Sequence, residues 1–198
     1  MSIRITADHA KSLGLPGSGK PRTKAKARER RPKAPPPRPE PPPRLLAIDP
    51  SSVAVGMALF ESGVLRKVCV FRSSIEDPRR RIAKLAGATA ALAATWCPTA
   101  IAFELVSGLH RHARSVSVAT CSFAQGAIWM ELEGMGVGCP VAFIAENRWT
   151  RGKPKKQRAE LIRLGEPVYA EWARKDGDKG LDGADAVGLG LAYLGGLR

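Results

Sequence analysis

The chain has 198 residues, 44% of them apolar, and a formal net charge of +14 from 32 Lys and Arg against 18 Asp and Glu. That length suits one domain of ordinary size with chain to spare, and a cationic excess on this scale favours a polyanionic partner, nucleic acid above all. No apolar run approaches the roughly 18 residues of a membrane span, and the polar N-terminus has no apolar signal core, so the composition predicts a cytoplasmic protein with no membrane segment.

Residues 1–44 stand apart. They hold twelve Lys and Arg against three acids, and half of the sixteen prolines lie between Pro32 and Pro43. A segment so charged and proline-rich cannot bury enough apolar surface to offset its ordering entropy, which predicts a disordered, basic tail. Within it, Gly14-Leu15-Pro16-Gly17-Ser18-Gly19-Lys20-Pro21 imitates a phosphate-binding loop. It lacks the hydroxyl residue after the lysine and the strand before it that such a loop needs. Order is predicted from residue 45 to the end, 45–198.

Leu45-Leu46-Ala47-Ile48 is a short apolar run closed by the turn signal Asp49-Pro50-Ser51-Ser52. Val53 to Phe60 and Val64 to Phe71 read as the next two strands, with Gly63 turning between them, so the three form a meander. Asp77-Pro78 reads as a helix N-cap followed by proline at the first helical position, and Ile82, Leu85, Thr89, Leu92 and Trp96 follow at helical spacing. Thr99 to Phe103 is a fourth strand, apolar throughout as a buried central strand should be, and it ends at Glu104. Then come a weakly polar helix from Ser115 to Met135, a fifth strand from Val141 to Ala145, a basic helix from Lys155 to Leu164, and a last helix from Asp182 to Leu194. The order βββαβαβαα predicts an α/β fold, a mixed five-stranded sheet flanked by helices. Trp96, Trp129 and Trp149 read as core residues, and Trp172, in a charged stretch, as a surface cap. The cysteines Cys69, Cys97, Cys121 and Cys139 form neither a CxxC pair nor a Cys/His cluster. They predict buried free thiols in a reducing compartment rather than a zinc site.

Four acids keep notably apolar company: Asp49, Glu104, Asp182 and Asp185. Asp49 and Glu104 end strands, where α/β sheets gather their sites. Asp182 and Asp185, three apart on one helix, share a face. If the two strands are neighbours, the carboxylates converge, and converged carboxylates call for a cation. Hard oxygen donors suit Mg²⁺, with Mn²⁺ as the substitute. Two such ions about 4 Å apart can serve the attacking water and the leaving oxygen of a phosphodiester. Each acid also has a plain local reading: Asp49 as a turn residue, Asp182 as an N-cap, Asp185 as a complement to the helix dipole. His110 and His112 flank Arg111 in a polar loop after Glu104, which predicts a DNA-facing loop.

The segment Leu46-Ala47-Ile48-Asp49-Pro50-Ser51 resembles the opening strand of RuvC-type Holliday junction resolvases, members of the RNase H-like superfamily. Ala102-Phe103-Glu104 resembles the strand carrying their glutamate, and Asp182-Gly183-Ala184-Asp185-Ala186 the motif that opens their last helix. Gly152-Lys153-Pro154-Lys155-Lys156 resembles the Gly-Lys segment before their penultimate helix, and Arg148-Trp149 a Trp-containing approach in phage-type members. The motifs occur in the family's order and span residues 45–195. The resemblance implies an RNase H-like nuclease domain, acting on branched DNA such as Holliday junctions, with Asp49, Glu104, Asp182 and Asp185 as catalytic metal ligands. It implies that Lys153, Lys155 and Lys156, together with Arg111 and His110, meet the DNA. It also implies a homodimer through helix 115–135, where Ala119, Ala124, Gly126 and Ala127 permit close approach. A phage origin fits the compact size and the tail. Two departures stand out. Ser51 replaces the family's usual Gly, and Ser107-Gly108-Leu109-His110 replaces an aromatic that stacks on junction bases. Two rival readings are a nuclease of the same fold for other substrates, such as RNA–DNA hybrids or flaps, and a DNA-binding module without catalysis.

Overall fold

The computed structural model describes residues 40–105 and 115–195. The predicted disordered tail up to residue 39, and the predicted DNA-facing residues His110 and Arg111, lie outside them. In chain order the elements are β1 (Arg44–Pro50), β2 (Ala54–Glu61), β3 (Val64–Arg72), α1 (Pro78–Trp96), β4 (Ala100–Leu105), α2 (Ser115–Gly134), β5 (Val141–Ala145), α3 (Glu146–Thr150), α4 (Lys155–Gly165), α5 (Pro167–Asp176) and α6 (Asp182–Tyr193).

The sheet runs β3-β2-β1-β4-β5. The meander is antiparallel, whereas β1–β4 and β4–β5 pair in parallel. This is the mixed five-stranded sheet the sequence predicts. β1 and β4 are its centre, and helices cover both faces. That is why each is apolar almost without interruption: Leu45 to Ile48 and Ala100 to Phe103 are all buried.

The two-residue period of the strands sorts their side chains between two cores. Leu46 and Ile48 of β1, with Ile101 and Phe103 of β4, pack against α1 and α2 through Leu85, Ala86, Ile128 and Leu132. Leu45 and Ala47 of β1, with Ala100 and Ala102 of β4, pack on the opposite face against α3 to α6 through Trp149, Ile162, Tyr169 and Val187. Asp49 and Glu104 continue the second series, so their parity aims both at the face on which α6 lies.

α1 starts as predicted, with Asp77 accepting the Arg79 N–H at 2.9 Å and Pro78 in the first turn. Ser51 closes the β1–β2 turn: its hydroxyl donates to the Ala54 carbonyl at 2.8 Å and accepts the Ala54 N–H at 3.0 Å. The side chain that departs from the family's Gly therefore stitches the turn directly after Asp49.

Three expectations need correction. The chain forms two more helices, α3 and α5, beyond the predicted set. α3 is only five residues long, and α5 was hidden by its charge. Pro167 in the first turn and Tyr169, Trp172 and Ala173 at helical spacing are its signal. Trp172 packs against the core beside Tyr169, at 6.0 Å between ring centroids, and does not cap the surface. The cysteines are free but none is buried: Cys97 is exposed at the left-handed C-cap of α1, and Cys69, Cys121 and Cys139 are half-buried.

Among the described residues no helix is long and apolar enough to cross a membrane.

Candidate active site

β1 and β4 lie side by side with Ile48 opposite Phe103, so the next residues, Asp49 and Glu104, are neighbours across the parallel pair. α6 supplies the other two acids. Its first turn sits over β2 at Gly56, the partner of Asp49. A Cβ on Gly56 would run into the Asp182 carbonyl, so only glycine lets the helix come this close. α6 interleaves small residues, Gly183, Ala184, Ala186, Gly188 and Gly190, with Val187 and Leu189, and is buried from Gly183 to Gly190.

Asp182 is the first residue of α6 and not its cap; Leu181, at φ 59°, takes that position without a side-chain bond. Capping comes from further back. Asp178, whose side chain is 2% exposed, accepts the Ala184 N–H at 2.9 Å and the Tyr169 hydroxyl at 3.2 Å through Oδ2. Burial, and then the charge and hydrogen bond of Asp178, push the Tyr169 phenol above its ordinary range. Arg72 of β3 reaches both acids, at 3.7 Å from Asp178 and 2.8 Å from Asp182. The helix start is thereby tied to β3 and α5.

The site is dense in charge and poor in water. Asp49, Glu104 and Asp185 are 9, 8 and 5% exposed. The Asp49 and Glu104 carboxyls are close enough to act on each other's ionisation. Burial, then the Glu104 charge, hold the Asp49 carboxyl well above the usual range. Burial also raises Glu104, offset in part by the hydrogen bonds from Asp49 and Trp149. Lys155, at the start of α4, lies 3.0 Å from both Asp182 and Asp185. Burial alone would lower its ammonium, but Asp185, Asp49 and Asp182 more than reverse that and raise it. Arg158, one turn further on, holds Asp185 at 2.9 Å. Three cations, Arg72, Lys155 and Arg158, thus face Asp182 and Asp185 from β3 and α4.

All four predicted acids thus meet at one site. Of the lysines, only Lys155 joins them, as a counter-cation to two acids. Lys153 is exposed on the approach to α4, and Lys156 is exposed near Tyr169 and Asp178, around the helix from Lys155. Sequence reading missed Arg72, Arg158 and Asp178, and gave Trp149 only a core role. The signal for Arg158 was its spacing: three residues after Lys155, it lies on the same face of α4. Trp149 is indeed buried, but its indole N–H donates to Glu104 at 2.8 Å, and Arg158 stacks over its ring at 4.9 Å.

The donor set, four carboxylates on neighbouring elements, has the chemistry of a site for a hard divalent cation. As they stand, no three acids among the described residues group closely enough to ligate one ion, and Lys155 and Arg158 engage Asp182 and Asp185. Ion binding would require those cations to yield and the raised Asp49 carboxyl to ionise.

On the side of α2 away from the core, Phe123 and Met130 are 73 and 69% exposed, seven residues apart on one helical face. Ala119 and Gly126 are exposed with them, whereas Ala124 is buried and Ala127 packs against the subunit's own core.

No protein-family model matches the chain, and no curated protein is similar to it in sequence. Solved structures are similar in fold. Thermus thermophilus RuvC in complex with its Holliday junction substrate superposes with a TM-score of 0.57 at 18% identity, over 78% of this chain and 98% of that one. A second structure of Thermus thermophilus RuvC gives 0.53 at 18% identity over the same shares. The yeast mitochondrial Holliday junction resolvase gives 0.56 at 13% identity, over 78% of this chain and 79% of that one. The chain has the mixed α/β fold of the RNase H-like class. Within it, the fold is similar to that of RuvC.

Proposed function

We propose that the protein is a divalent-metal-dependent endonuclease that cleaves branched DNA, with four-way junctions as its substrate. The observation that carries this reading is the convergence of the buried Asp49, Glu104 and Asp185, with the half-buried Asp182, around Lys155 on a RuvC-like sheet. Water-poor carboxylates crowded this closely are costly, and such a cluster makes chemical sense as a cation site. Asp49, Glu104 and Asp185 would hold Mg²⁺ or Mn²⁺, with Asp182 completing the set. Ions held there would supply Lewis-acid stabilisation of the charge developing on a phosphodiester and would lower the pKa of a bound water.

The chain's own residues do the rest. Trp149 fixes the orientation of Glu104, Asp178 and Arg72 fix the first turn of α6, and Lys155 is placed to move from carboxylate to phosphate as the site fills. The net charge of +14 draws a polyanion to the chain. A homodimer through the exposed Phe123 and Met130 face of α2 would set two sites on opposite strands of a junction.

Cleavage of labelled four-way junction, flap, RNA–DNA hybrid and linear duplex in Mg²⁺ tests the reading. Paired nicks confined to the junction are expected. Equal nicking of all four would leave a nuclease without branch selectivity, and tight binding with no nicks in any metal would leave a binding module.

A further inference from the structure

Beside the carboxylates lies a hollow of about 310 Å³, between α3, α4 and the last turns of α6. Trp149, Leu161, Ile162 and Leu191 line it with apolar surface, and Lys153 and Glu166 also contribute to its lining. Two of its lining residues bond directly to the acids: Trp149 to Glu104 and Arg158 to Asp185. Whatever enters the hollow therefore rests on the side chains that touch the reacting centre.

The Lys153 side of this hollow is pinned. Arg151 and Gly152 are both left-handed, at φ 50° and 72°, and fold the chain back onto α4. The Lys153 N–H donates to the Thr150 carbonyl at 3.0 Å, and Arg158 Nη1 donates to the Lys153 carbonyl at 2.7 Å. Leu161, which also lines the hollow, is 47% exposed although it is apolar.

We propose that this hollow seats one unstacked nucleobase of the strand held at the acids. The inference rests on the nuclease reading above and adds to it where the neighbouring base goes. Apolar walls with a guanidinium among them are what bases leave a stack for. The volume is at the small end of the range for ligand sites, roughly 300 to 1,000 Å³, which suits one planar heterocycle. Lys153 opposes the charge of the phosphate attached to such a base. Glu166 accepts hydrogen bonds and donates none when ionised, so it favours a base with an exocyclic amine, cytosine, adenine or guanine, over thymine.

The test is equilibrium binding of the full chain to a four-way junction in EDTA, where no strand is cut. Each nucleotide near the crossover is replaced in turn by an abasic one. In the wild type, one position should lose about tenfold in affinity, the usual scale for a seated base. Leu161→Trp, which fills the hollow from its exposed edge, should weaken binding to the intact junction by a similar factor. It should also make the abasic change at that position neutral. Leu161→Ala leaves the hollow open and should keep the abasic sensitivity. A flat abasic scan with tight junction binding would refute the seat and leave the nuclease reading standing. So would Leu161→Trp losing affinity equally for intact and abasic junctions. Failure of the wild type to bind branched DNA at all would overturn both.

Discussion

The indole N–H of Trp149 donates to Oε1 of Glu104 at 2.8 Å, across 45 residues of chain. A side chain that packs as core thus also orients an acid at the end of β4. Trp149→Phe keeps most of the packing but leaves a buried acceptor short of its partner, at a cost of about 1–3 kcal/mol. The loss should be larger in function. Partners that orient a metal ligand are commonly worth about 10- to 100-fold in affinity or activity. Urea melts and the Mn²⁺ dependence of cleavage separate the two effects. A variant with wild-type metal dependence would show that the bond does not position Glu104.

Gly56 and Asp182 make the second critical contact. Gly56→Ala places a methyl group against the Asp182 backbone, which cannot move aside as a side chain could. The expected destabilisation is about 1–3 kcal/mol. Cleavage should fall further than stability, because the displaced turn carries Asp182 and Asp185. Thermal melts and cleavage rates on the same preparation check this. Unchanged melting would mean that α6 can ride up from the sheet.

Asp178 caps α6 from four residues before its first residue and carries the Tyr169 hydroxyl and Arg72 as well. Asp178→Ala removes the cap, with an expected loss of about 0.5–2 kcal/mol. Asp178→Asn keeps an oxygen for the Ala184 N–H and should retain most of that stability. Hydrogen exchange at the first turn of α6 reads the effect directly. Protection unchanged in Asp178→Ala would place the cap elsewhere.

The proton on Asp49 makes stability depend on pH. In the folded chain this carboxyl keeps its proton well above the unfolded value of about 3.9. Between those two pKa values the folded state binds more protons than the unfolded state, so stability falls as pH rises through the window. Asp49→Asn removes this contribution. In EDTA the variant should gain on the wild type as pH rises, to about 0.5–2 kcal/mol at neutral pH. Melting curves from pH 4 to 8 for both chains measure the difference. A constant difference would show that Asp49 titrates normally.

Much of this architecture is legible in the sequence because its strands are central. A β1 or β4 covered on both faces must be apolar, so an acid at its end stands out, and Asp49 and Glu104 were visible for that reason. The helix start was visible through its Asp-Gly-Ala-Asp spacing. The residues that were not visible work through tertiary geometry. Arg72 is one arginine among many until β3 folds beside α6, and Asp178 looks like loop until its carboxylate reaches Ala184. α5 hid because its apolar residues are few and its charges many. Lys155 and Lys156 are alike as letters, and only the turn of α4 sends one to the acids and the other to the surface.

The most direct measurement is cleavage of a labelled four-way junction by the wild type and by Asp185→Asn, each in Mg²⁺ and in EDTA. Asp185 receives both Lys155 and Arg158 and is less exposed than Asp49 or Glu104, so its charge is central to the site. The account predicts paired, symmetric nicks by the wild type in Mg²⁺ that vanish in EDTA and in Asp185→Asn, while the variant still binds the junction. Undiminished cleavage by Asp185→Asn, or by the wild type in EDTA, would contradict it.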